Sequence, residues 1–228
     1  MLIEEIQKSI KDLKRLDKVE SAVQDAEKKN QNDADYSAIV ADFWRSIKTV
    51  SLAHSLLSFD LSDDSIEHAT DIANRLEDVV AAGAVDEEEL KEVKQQINRK
   101  FNPSLTREWK DYYLRISSPV RSKIATVGSL VQDQNKLSMI KNRIANASEW
   151  TGLSLKDDGN QTRLDWLKMS IDEVDKIEEE LNLTEEIKNF VIAVTRKKAK
   201  VVDITPSIIE WINEEKLGDN FVIEFKKI

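Results

Sequence analysis

The chain has no cysteine among its 228 residues. Disulfides, thiolate zinc sites and cysteine nucleophiles are excluded together, and a reducing cytoplasm is the expected setting. Glycine (five) and proline (three) are scarce, where a chain of this length ordinarily carries about sixteen and about eleven. Such scarcity favours long helices over turn-rich Rossmann-like or barrel folds. No apolar run approaches the ~20 residues of a membrane helix. The opening Met-Leu-Ile-Glu-Glu-Ile-Gln-Lys has neither a basic nor an apolar region, so no signal peptide is expected.

Chemistry-bearing residues are equally thin. The two histidines, His54 and His68, lie fourteen residues apart without a His-x-x-x-His or Glu-x-x-His spacing. His54 falls on an apolar stripe and reads as a core histidine; His68 reads as a surface residue. There is no phosphate-binding Gly-x-x-x-x-Gly-Lys and no Gly-x-Ser-x-Gly elbow. The acidic runs Asp86–Glu89 and Glu178–Glu180 are contiguous, so their side chains splay around a helix and read as solvated faces, whereas catalytic carboxylates converge from separate elements. Asp157-Asp-Gly-Asn160 lacks the ligand series of a calcium loop and reads as a turn. No catalytic, metal-binding or cofactor-binding residue is expected.

What the chain does have is helical periodicity. Ile3, Ile6, Ile10, Leu13, Leu16, Val19, Val23 and Ala26 mark one face of a first helix over 2–29. A polar connector over 30–35 and a second helix over 35–58 are expected next, with Tyr36, Phe43, Ile47 and His54 inward and Trp44 widening the stripe. Ser62 caps a third helix closed by Gly83. Asp86 opens a fourth, broken at Asn102-Pro103. Residues 104–148 read as one long helix or two stacked ones, with Pro119 a kink or restart and Ser118 its cap. Further helices follow from Leu164 and from Thr184. Glu149–Gln161 is the expected boundary between a helical bundle over 1–150 and a C-terminal region over 151–228.

Net charge is −9, yet the charge is segregated. Residues 60–92 hold twelve acids against Arg75 and Lys91, residues 93–148 hold eleven bases against three acids, and residues 151–192 hold eleven acids against five bases. Basic helices packed between acidic ones would produce this, and so would a basic face for an acidic partner or nucleic acid. Helical spacing puts Arg107, Lys110, Arg115 and Arg121 away from the stripe of Trp109, Tyr113, Val120 and Ile124, joined by Lys136 and Arg143 if the helix stays in phase. Arg196, Lys197, Lys198 and Lys200 form the densest basic run, at a helix end where cations suit the dipole. Five tryptophans are spread through the chain and default to core packing. Trp150, in the expected boundary, reads as an interface anchor.

The C-terminal stretch Ala199–Phe225 is punctuated: Thr205 as N-cap, Pro206 at the first helical position, and Gly218 as a stop. Ala199–Ile204 and Phe221–Phe225 read as short strands around the Trp211 helix. The expected fold is therefore mainly α, a bundle of about eight helices with a small C-terminal αβ appendage. An apolar helix ending in a basic turn, then Asp203-Ile-Thr-Pro206, Ile209-Glu-Trp-Ile212, Leu217, Phe221 and Phe225, resembles the end of small helical proteins from bacterial anti-phage loci. Trp109-Lys-Asp-Tyr-Tyr113 fits the same likeness. These are accessory subunits of Lamassu-type systems, which pair a structural-maintenance-of-chromosomes-type ATPase with an effector nuclease. The resemblance covers about residues 187–225 and carries no catalytic residue. It implies a non-catalytic subunit that regulates or bridges larger enzymes on DNA. The alternative from the residues themselves is direct DNA binding through the basic face; a third reading is an enzyme whose carboxylates converge only on folding.

Overall fold

A computed structural model of the chain describes residues 2–81, 86–128, 130–131, 133–156 and 159–221, and the side chains of all of these except 2–27, 30, 80, 81 and 220. The described residues are mainly helical, with no strand and one isolated antiparallel bridge, Lys156 to Thr162. The helices are α1 (Leu2–Leu57), α2 (Asp63–Ala81), α3 (Glu87–Gln96), α4 (Asn102–Val127), α5 (Gln134–Asn146), α6 (Arg163–Glu180), α7 (Glu185–Thr195) and α8 (Pro206–Glu214). A π-helical turn, Ile97–Phe101, joins α3 to α4 without a break.

Several expected breaks are absent. Asn102-Pro103 does not end a helix. The Asn102 N–H reaches back to the Ile97 carbonyl, five residues away, and this wider turn makes room for a proline ring that would strike the carbonyl of an ordinary turn. Pro119 lies inside α4, and Ser118 does not cap a restart: its hydroxyl donates to the Leu114 carbonyl at 2.7 Å. Both residues face solvent, where water can satisfy the carbonyl that proline leaves free. The polar stretch 30–35 is not a connector either. It contains no glycine or proline, only residues whose helix penalty is a few tenths of a kcal/mol each, up to about 0.7. Gln31 Nε2 donates to Asp35 Oδ1 at 3.0 Å and Ser37 Oγ to the Asp33 carbonyl at 2.9 Å, so polar side chains bond along the helix. The stripe from Ile3 to Ala26 lies outside the described side chains, and Gly83 and Asp157-Asp158 lie outside the described residues.

Caps behave as their residue types dictate. Asp86 and Asp133 accept from backbone N–H groups two and three residues on. Thr162 and Asp165 form a reciprocal capping box, and Thr184 and Thr205 cap α7 and α8.

The chain divides into two compact units, Met1–Val50 with Leu61–Leu105, and Ser51–Asp60 with Thr106–Ile228. In the first, Phe43 and Phe101 meet at 5.5 Å. The Tyr36 hydroxyl donates to the Leu76 carbonyl at 3.0 Å, and the Ser65 hydroxyl to that of Ser104 at 2.9 Å. Trp44 is 55% exposed. Its expected place in the stripe is corrected, because the buried face runs through Ile39, Phe43 and Thr49 and is rotated away from it.

In the second unit, Phe59 is packed by Trp109 (5.3 Å), Tyr112 (5.2 Å) and Trp150 (6.0 Å). Trp109 Nε1 donates to the Ala147 carbonyl at 2.9 Å and the Tyr113 hydroxyl to that of Ile144 at 2.8 Å, which fixes α5 on α4. The Tyr112 hydroxyl donates to the Leu57 carbonyl. Glu149–Gln161 lies inside this unit. Trp211 is buried and donates from Nε1 to the Leu181 carbonyl at 2.8 Å.

The αβ appendage is corrected. Val201–Asp203 form a 3-10 turn closed by the Asp203 carboxylate on the Lys200 N–H at 2.7 Å, and Phe221 is not in a strand; residues 222–225 lie outside the described residues. Gly218 does not stop α8. The helix ends at Glu214 and the chain turns on Lys216, whose φ is 55°.

Candidate interaction surfaces

In the second unit the basic residues fall into two groups, and the difference is whether a carboxylate reaches them. Lys123 of α4 lies 2.7 Å from Asp175 and 2.8 Å from Glu178 of α6. The other oxygen of Glu178 holds Lys188 of α7 at 2.6 Å. These bonds hold the Glu178 carboxyl below the ordinary glutamate range and the Lys123 ammonium above the ordinary lysine range. The solvated face expected for Glu178–Glu180 is thus corrected at Glu178, whose side chain is only 16% exposed.

Lys136 and Arg143 of α5 both reach Glu173, at 3.4 and 3.9 Å, and the Arg143 guanidinium sits 3.7 Å over the Trp166 ring. Their exposure with the α4 cations was conditional on a helix that stays in phase. Both are half-buried, because the chain breaks phase between Val127 and Gln134. These contacts are the intramolecular pairing that the segregated charge pattern allowed.

Arg107, Lys110, Arg115 and Arg121 on α4 are all exposed. Arg115 lies 5.0 Å over the Tyr112 ring, and Arg121 donates to the Tyr113 hydroxyl at 2.6 Å. Among the described residues, none of the four has an ion-pairing carboxylate. At ~100° per residue Arg107, Lys110, Leu114 and Arg121 share an arc of about 60°, over about 21 Å of helix at ~1.5 Å per residue. Leu114 is 46% exposed within that stripe, and Asp111 borders it.

The second unpaired group is the turn after α7. Lys197 takes a left-handed conformation (φ 54°). The Lys197 N–H bonds the Val194 carbonyl and the Lys198 N–H that of Ala193, both at 2.8 Å. Arg196, Lys197, Lys198 and Lys200 all point to solvent. Immediately beyond them Val201 is 65% exposed and Val202 82%. Sequence reasoning missed these valines as surface groups, since a Val-Val pair reads first as a strand.

Trp150 is placed differently. It is buried against Phe59 and Trp109, each at 6.0 Å, and so presents little to a partner. His54 is corrected from core to surface: it is exposed, with Nδ1 2.8 Å from Asp60 Oδ1. His68 is half-buried.

No family model, curated protein or solved structure matches this chain. Among the described residues, no three His, Asp or Glu side chains are grouped to hold a metal, and no helix is long and apolar enough to cross a membrane.

Proposed function

We propose that this chain is a non-catalytic accessory subunit that binds larger protein subunits. The observation that carries this reading is the turn after α7, where two exposed valines adjoin four cations that no carboxylate of the described residues neutralises. Water is a poor environment for adjacent valines, and a folded chain that keeps them exposed is suited to burying them against something else. The resemblance of residues 187–225 to Lamassu-type accessory proteins supports the same role. It suggests as partners an ATPase of the structural-maintenance-of-chromosomes type and a nuclease, with DNA met through the complex. The test is co-expression with the products of neighbouring genes at near-physiological salt. A stable complex of defined stoichiometry is expected, and quantitative recovery of a free monomer overturns the reading.

A second reading, direct DNA contact, is favoured by the unpaired stripe on α4. Three phosphate contacts would give a slope of log affinity on log salt of about −2.7. Replacing Arg107 and Lys110 with glutamate should then weaken duplex binding across sequences and flatten that slope. Unchanged affinity in the double variant removes the reading.

A further inference from the structure

The partner's chemistry can be taken further at the turn after α7, on the reading of the chain as an interaction subunit. We infer that Arg196–Val202 docks an acidic protein segment that carries an apolar anchor. The cations and the valines occupy one short stretch, and each class constrains the occupant. Arg196, Lys197, Lys198 and Lys200 are exposed and call for carboxylates. Asp203 accepts from the Lys200 backbone N–H at 2.7 Å and ion-pairs with none of the four side chains, and its single charge is outnumbered by theirs. Val201 and Val202 gain nothing from a phosphate backbone but gain by burial against an aliphatic or aromatic side chain.

The turn is also held in shape before any partner arrives. The Lys198 and Ala199 N–H groups both bond the Ala193 carbonyl, at 2.8 and 3.1 Å. The Asp203 N–H bonds the Lys200 carbonyl at 2.9 Å, and the Thr205 hydroxyl donates to Glu186 at 2.7 Å. A turn fixed in this way loses little freedom on binding.

An anionic lipid surface is the less suited occupant. It faces a whole side of a molecule of net charge −9, whereas a peptide meets charges within a Debye length of about 8 Å, where the local sign is positive.

The test uses the full ¹⁵N-labelled chain and four probes: a short Asp/Glu peptide carrying two leucines, the same peptide with serines for leucines, a DNA duplex, and phosphatidylserine vesicles. The leucine peptide should shift the amide signals of Arg196–Val202. Its affinity should fall roughly ten-fold in the Val202→Ser variant, and also when Lys197 and Lys198 are replaced by glutamate. Val202 is 82% exposed, so the serine variant should keep its melting temperature, and that is measured alongside. Equal binding of the serine peptide, tighter binding of duplex or vesicles at this turn, Val202-dependent self-association, or no signal shift at the turn each overturns the inference. If Val202→Ser leaves a co-purified partner fully bound, the docking turn is wrong while the accessory-subunit reading stands; loss of any partner for the unaltered chain strikes the reading itself.

Discussion

Ser58, Asn182, Lys197 and Lys216 follow the ends of α1, α6, α7 and α8 with φ between 48° and 58°, and none is glycine. A left-handed residue with a Cβ costs about 1–2 kcal/mol relative to glycine, which is why glycine is the usual choice at that position. Lys216 is the clearest case. It is exposed, its N–H bonds the Asn213 carbonyl at 3.2 Å, and the next N–H, from buried Leu217, bonds that of Ile212 at 2.9 Å. The bonds and the packing of Leu217 survive loss of the lysine side chain. Lys216→Gly should therefore stabilise the chain by about 0.5–1 kcal/mol, part of the relief being offset by the greater freedom of glycine in the unfolded chain. Urea unfolding at neutral pH measures this, and an unchanged or lower midpoint refutes it. Asn182→Gly should gain less, since asparagine tolerates the left-handed region best.

At the scale of elements, α6 is tied to α4 and α7 through Glu178. Bonds from Lys123 and Lys188 lower the Glu178 pKa from its ordinary 4.5. Folding thus favours the carboxylate, and the stabilisation is complete above that value and fades as pH falls through the lower folded one. Lys123 is raised from 10.5 by Asp175 and Glu178, so its share is present below that value and lost as pH rises through the higher folded one. Glu178→Gln should cost about 1 kcal/mol at pH 7, the upper end for partly exposed pairs. The gap to the unaltered chain should close only as pH falls through the lowered folded pKa of Glu178, below which both hold a neutral side chain. Denaturant midpoints across pH check this, and a gap that stays constant into acid shows the cluster to be electrostatically idle. Sequence spacing revealed the caps of α7 and α8 and the inner faces of α4, α6 and α7, because these follow from residues within a turn or two of each other. It did not reveal Glu178, which is one of three consecutive glutamates until α4 and α7 choose it. Nor did it reveal that 199–204 is a turn: Lys-Val-Val-Asp-Ile has strand-like residues, but strand preference is realised only against a neighbouring strand. The unbroken path through residues 30–35 and Asn102-Pro103 was illegible because weak helix formers and even a proline are carried by the helix on either side.

For the whole molecule, the order of the chain matters more than the number of helices. The second unit takes Ser51–Asp60 from the end of α1, then resumes at Thr106 after the whole of α2 and α3. That early segment brings Phe59, 1% exposed, into a nest of Trp109, Tyr112 and Trp150. It also brings the Leu57 carbonyl that accepts from the Tyr112 hydroxyl. A fragment beginning at Thr106 has every later helix yet lacks the side chain at the middle of its aromatic core. Loss of a buried phenylalanine costs about 3–5 kcal/mol, a large part of the ~5–15 kcal/mol that holds a typical domain together. Residues 106–228 alone should therefore melt broadly, and far below the full chain. A chain of 51–60 joined by a flexible linker to 106–228 should recover a cooperative transition, and the same fusion with Phe59→Ala should not. Circular dichroism melts of the three proteins decide the matter. If the bare fragment melts sharply within a few degrees of the full chain, the early segment is no part of what holds that unit together, and its place in the core is incidental.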